Sequence, residues 1–214
     1  VPAARSASAG GGVTDPAVAP RAAVPGTNAV RTGILPDSSR LALGSPTDPA
    51  SLAGKLESFR QRPEVAGVIV DVAADARVAQ LKAQVAAHRA CPFAVNLLAE
   101  EIKRMVDAYR PNNPDLRYVT IVGDDTVIPF FRYPDQSLLG QESGYFPPVR
   151  SDSISEASLR RDYVLSQDAY GSGVAISIRT SVFPIPGLAV GRLVETPAEI
   201  AGMLDAYVAT NGVV

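Results

Sequence analysis

The sequence predicts an α/β fold, a mostly parallel sheet of about four strands flanked by helices. Three observations predict it. Two short apolar runs, Tyr118-Val-Thr-Ile-Val122 and Leu188-Ala-Val190, are each closed by glycine and then a charged residue, Gly123-Asp124 and Gly191-Arg192. Strands buried on both faces read as such continuous runs, and they deliver polar groups to the carboxyl edge of a sheet, where ligands gather in open α/β folds. Amphipathic stretches of helical period alternate with the apolar runs, which is the spacing of βα units. The second run leads into Thr196-Pro-Ala-Glu199, where threonine at the N-cap, proline at N1 and glutamate at N3 make a capping box.

Residues 1–27 are dominated by Ala, Gly, Pro and Ser with no helical or strand period. Such a composition buries too little apolar surface to offset its ordering entropy, so this stretch reads as a flexible tail or linker and the α/β domain as residues 28–214. A first strand is expected over 28–35, ending at Pro36-Asp37, with 41–43 extending it. Asp48-Pro49 marks a helix start, with Leu52, Leu56 and Phe59 on one face. A second strand covers 65–72 and contains Asp71, and a helix over 76–89 follows through Val78, Leu81 and Val85. The strongest helix spans 93–109. Val95, Leu98, Ile102, Met105 and Tyr109 form its apolar stripe; Glu100, Glu101, Lys103 and Arg104 lie off it, and Pro111 and Pro114 stop it. The third strand is 118–122 and the fourth 188–190. Ile200, Met203, Leu204 and Tyr207 form the inner face of the last helix, which Asn211-Gly212 ends. Residues 133–161 are as long as a βα unit but show no clear period, the mark of a functional or disordered loop that Gly144-Tyr-Phe-Pro-Pro148 would pin in part.

At 214 residues and 46% hydrophobic, the chain can bury a core of one domain plus a tail. A net charge of -2 with both signs interspersed implies no nucleic-acid or anionic-membrane surface. No apolar run approaches the roughly 18 residues of a membrane span. One cysteine excludes an intrachain disulfide and a multi-cysteine metal site. The sequence opens on Val1 without a signal-peptide pattern, and apolar residues resume at Val213, so a piece of a longer protein is expected, with a further strand starting there.

The single histidine, His88, and the single cysteine, Cys91, sit in one helix-to-helix junction beside Pro92. A thiolate nucleophile needs an imidazole within hydrogen-bond reach and a group to orient it, so His88 reads as a surface residue and Cys91 as a small buried filler. Asp71 and Asp124-Asp125 offer carboxylates that two adjacent strands would gather at one edge for a hard cation; the competing reading is that they cap the segments that follow. No lysine is well placed to accompany them, which ranks a receiver-like cation or phosphate site last. Gly171-Ser-Gly173 neither follows a clear strand nor opens a helix, and GxGxxG, GxxxxGK[ST] and GxSxG are absent, as is the second histidine a serine triad would require. Arg192 reaches the same edge as Asp124, for a structural salt bridge or a ligand contact.

In order, Tyr118-Val-Thr-Ile-Val-Gly-Asp124, Ile128-Pro129, a segment with Asp162, Asp168 and Tyr170-Gly171, then Leu188-Ala-Val-Gly-Arg192 and Thr196-Pro-Ala-Glu-Ile200 resemble the gingipain family of caspase-like cysteine endopeptidases. Both Asp162 and Asp168 fit the family's middle aspartate. The resemblance covers roughly residues 65–211. It implies a caspase-like, Rossmann-like three-layer fold, an extracellular or cell-envelope parent, and a protein or peptide substrate. It requires no cofactor, though family members bind calcium through carboxylates near these loops, which makes Asp124, Asp125 and Asp168 the candidate metal ligands. The family's catalytic histidine, in a His-Gly context, and its catalytic cysteine follow the Gly-Arg strand and its helix. His88 and Cys91 precede them, so the chain resembles the amino-terminal subdomain alone, its partner being a carboxyl-terminal catalytic half. A binding or scaffold module of the same fold is the alternative.

Overall fold

The structure is a computed structural model that describes residues 12–15, 21–26, 29–145, 147–178, 181–194 and 196–210. In chain order its elements are β1 (Thr32–Leu35), α1 (Leu52–Arg60), β2 (Gly67–Ile69), α2 (Ala76–Ala87), α3 (Pro92–Asp107), β3 (Tyr118–Val122), β4 (Phe131–Pro134), α4 (Ile154–Leu159), β5 (Tyr163–Ser166), α5 (Asp168–Gly171), β6 (Ser172–Ile178), β7 (Ser181–Pro186), β8 (Ala189–Leu193) and α6 (Pro197–Ala209). The expected starts at Asn28 and the stop at Asn211-Gly212 lie outside the described residues, as does Phe146.

The central sheet is all parallel with order β2-β1-β3-β8. Every residue of β1 is buried, as a strand covered on both faces requires. β2 lies on one side of β1 and β3 on the other. Right-handed crossovers travelling in opposite directions must use opposite faces, so α1 covers one face while α2 and α3 cover the other. Consistently, a Cβ on Gly67 would meet both Ile34 of β1 and Arg60 of α1. α6 returns to the α1 face: Phe59 and Tyr207 meet edge to face at 5.1 Å, and Lys55 pairs with Asp205 at 2.5 Å. The core runs through Ile34, Leu56, Leu98, Ile102, Ile121 and Ile200, all fully buried.

Several expectations are corrected. Ser51, not Asp48, caps α1, its side chain accepting from the Gly54 amide; Asp48-Pro49 forms the turn before it. Residues 41–43 add no strand, and Tyr109 falls just past α3. On α6 Ile200 and Leu204 are buried, but Met203 faces solvent. The stretch 133–161 is part of an excursion between β3 and β8 that carries two antiparallel pairs, β4 with β5 and β6 with β7. α5 links this excursion to β3, β8 and α3.

Candidate functional site

The carboxyl ends of β3 and β8 lie side by side, with Ile121 opposite Arg192 and Val122 opposite Leu193. The chain leaves β3 through Gly123 at φ +102°, where a Cβ would sit 2.6 Å from the Cβ of Val127; only glycine fits this conformation and this contact. Asp124 then closes the turn. Its Oδ1 accepts from the amides of Thr126 and Val127 and from the Thr126 hydroxyl. Arg192 was expected to make a salt bridge or touch a ligand. No salt bridge to it forms among the described residues; its Nη1 donates to the main-chain carbonyls of Gly123 (2.8 Å), Asp124 (3.1 Å) and Ile128 (2.8 Å), its Nε donates to Gln167 Oε1 (3.1 Å), and it stacks 4.1 Å from the Phe130 ring centroid. Burial pulls the guanidinium's pKa below its ordinary value, with Tyr170, Asp125 and Asp124 opposing the shift.

Asp125 turns inward. It forms a bidentate pair with Arg132, Nη1 to Oδ1 at 2.7 Å and Nη2 to Oδ2 at 2.5 Å, and Arg132 is 0% exposed. The Phe130 amide and the Ser155 hydroxyl also donate to this carboxylate, so its lone pairs are engaged. Asn96 of α3 holds the same residue by its main chain, accepting from the Arg132 amide (2.7 Å) and donating to its carbonyl (2.8 Å). Sequence reasoning missed this knot, because Arg132 and Asn96 carry no local signal of burial.

Tyr170 of α5 is fully buried and donates to the Pro129 carbonyl at 2.7 Å. Burial first of all raises its phenol, which stays a neutral donor. Gly171 follows because a Cβ there would lie 2.3 Å from the Leu188 carbonyl; its own carbonyl accepts from Gly187 and Leu188. Gly171-Ser172-Gly173 therefore joins α5 to β6.

The remaining acids are held apart. β1 lies between β2 and β3, so Asp71 is not on a strand adjacent to that of Asp124, as had been expected. Asp71 accepts from Ala73, from the Ser38 amide and from the Ser38 hydroxyl. A lysine does meet an acid outside that set: Lys82 of α2 contacts buried Asp37, after β1, and donates to Ser39 Oγ at 3.0 Å, while Ser39 donates to Asp37 at 2.6 Å. Asp168 opens α5 and is exposed. Among the described residues no three His, Cys, Asp or Glu side chains are grouped to hold a metal ion.

His88 caps the end of α2 and Cys91 the start of α3, and both are half-buried. The bond between them is main chain, Cys91 N to His88 O at 2.9 Å; no imidazole–thiol hydrogen bond exists among the described residues. Comparison with protein-family models, with curated proteins and with solved structures returns no match.

Proposed function

We propose that this chain is the amino-terminal, non-catalytic subdomain of a gingipain-like cysteine endopeptidase. The observation that carries this reading is the convergence of four of the five family-like motifs in one cluster: Gly123-Asp124 and Ile128-Pro129 receive the hydrogen bonds that Arg192 and Tyr170 donate across as many as 69 residues of sequence. These motif residues fix loops to one another. None of them pairs a nucleophile with a base, which cysteine hydrolysis needs. Their work is to build a rigid rim, and the chemistry belongs to a carboxyl-terminal half bearing the histidine and cysteine.

Topology agrees with that division. Right-handed crossovers on the α1 face travel from β1 toward β2, so one passing from β8 through α6 would aim at the place β3 already fills. The parent would act on protein or peptide substrates in an extracellular or cell-envelope setting, with calcium an optional ligand.

The purified chain is expected to show no turnover of fluorogenic peptides ending in Arg or Lys. Turnover that Cys91→Ala abolishes would overturn the proposal. The open apolar face of the β6–β7 hairpin favours a second reading, a binding module with this fold. The gene beyond Val214 separates the two: a His-Gly followed by an apolar strand ending in Cys supports the peptidase, and their absence supports the module.

A further inference from the structure

The described parts of the Ala/Gly/Pro-rich segment sit on α2 and α3 through a set of bonds that composition does not reveal. Thr14 is held at both main-chain groups by one side chain: its amide donates to Gln84 Oε1 and its carbonyl accepts from Gln84 Nε2, each at 3.0 Å. Val24 is held at both as well. Its amide donates to the Ala108 carbonyl past the end of α3, and its carbonyl accepts from Asn112 Nδ2, each at 2.8 Å. Between these clamps Arg21 places one Nη2 at 2.6 Å from both Asp75 and Glu101. Glu101 is 3% exposed although the helical period puts it off the apolar stripe, because Arg21, Arg77 and Arg104 close over it. Asp15 lies 3.5 Å from Arg77, so the segment brings one charge of each sign to partners of the opposite sign. Val13 packs on the core, and Gly26 presses so closely on Asn112 that a Cβ would lie 1.9 Å from its carbonyl oxygen.

We propose that α2, the outer side of α3 and the turn after α3 form a docking surface for an arginine-bearing peptide segment, and that residues 12–15 and 21–26 are its ligand in cis. The Val24 clamp reads main chain alone, while the Thr14 clamp also takes that residue's hydroxyl, which donates to Gln84 Oε1 at 3.3 Å. Specificity comes from the guanidinium, which a pair of carboxylates holds by charge-assisted hydrogen bonds. A tethered segment competes at an effective concentration in the millimolar range, so the surface stays occupied until its anchor is lost. This proposal is independent of the peptidase reading, and each can fail without the other.

Hydrogen exchange on the full chain tests it first. The Thr14 and Val24 amides are expected to exchange at least about tenfold more slowly than free chain, and Arg21→Ala to remove most of that protection. Free-chain exchange at both amides in the unaltered protein overturns the proposal, as does protection that Arg21→Ala leaves intact. Fluorescence anisotropy with a labelled peptide of residues 12–26 then tests the surface in trans. The Arg21→Ala chain is expected to bind this peptide about tenfold more tightly than it binds the same peptide carrying Arg21→Ala. Equal affinity for the two peptides, or no binding by a chain whose two amides have been released, overturns it.

Discussion

The carboxyl rim of the sheet and the β6–β7 hairpin treat their side chains in opposite ways. At the rim, charged groups are buried: Asp125 and Arg132 face each other with no access to water at the guanidinium, and Asp37 meets Lys82 beneath the loop after β1. On the hairpin, apolar groups stand in water. Val174 is paired with Ile185 and Ile176 with Phe183, all four on one face and 43–65% exposed. A buried ion pair costs desolvation and is retained where it fixes a geometry. An exposed apolar face leaves roughly 1 kcal/mol per side chain available to association. Asp124, Asp125 and Arg192 hold the scaffold through the bonds they make, while the surface with free energy in reserve lies on β-structure that the sequence did not announce.

The largest expected effect tests the scaffold side of this contrast. Asp125→Ala leaves the Arg132 guanidinium buried and uncompensated, and is expected to cost about 3–5 kcal/mol in urea denaturation. If the rim carboxylates serve the scaffold alone, calcium at millimolar concentration leaves the melting temperature of the unaltered chain unchanged. A rise in melting temperature with calcium that Asp125→Ala removes would turn the rim back into a cation site and erase the contrast.

Gly123→Ala comes next, at about 2 kcal/mol, because it adds strain at φ +102° to a clash with Val127. The loss is expected to appear without a change in the slope of the denaturation curve. A neutral outcome would mean that the turn after β3 relaxes freely, and that Arg192 does not hold its carbonyls in one place.

What the sequence made legible follows from how local each signal is. The bounds of β3 were readable to the residue, because five consecutive apolar or β-branched residues lie between Arg117 and Gly123. The capping box of α6 was equally plain, since Thr196 and Glu199 bond each other across one turn. Glu101 was misplaced because its burial depends on Arg21 and Arg77, far away in sequence. Lys82 was overlooked because its partner, Asp37, comes from the other side of β2 in the chain. The strands β4 and β5 have only four residues each, too short for a period to emerge. β7 was hidden by Pro184 and Pro186, which argue against an inner strand but are tolerated in a two-stranded hairpin whose outer side needs no donor. At the site, residue types could be read but not their roles: an aspartate after a strand looks the same whether it caps a turn, as Asp124 does, or neutralises a buried arginine, as Asp125 does.

The smallest expected effect sharpens the other side of the comparison. If the apolar face of β6–β7 is a surface held for contact with another body, its side chains contribute little to the isolated fold. Ile176→Ser and Phe183→Ser, singly or together, are then expected to change the unfolding free energy by no more than about 0.5 kcal/mol each, as for surface substitutions elsewhere. The same changes are expected to reduce concentration-dependent self-association in sedimentation velocity, because a cluster of four aligned apolar side chains on a two-stranded ribbon is an aggregation-prone surface. Serine keeps the main-chain ladder from Val174 to Ser177 intact, so a loss of hairpin structure would not confuse the result. A cost above about 1.5 kcal/mol for either change would show that the face packs within the folded chain, and the hairpin would join the rim as scaffold.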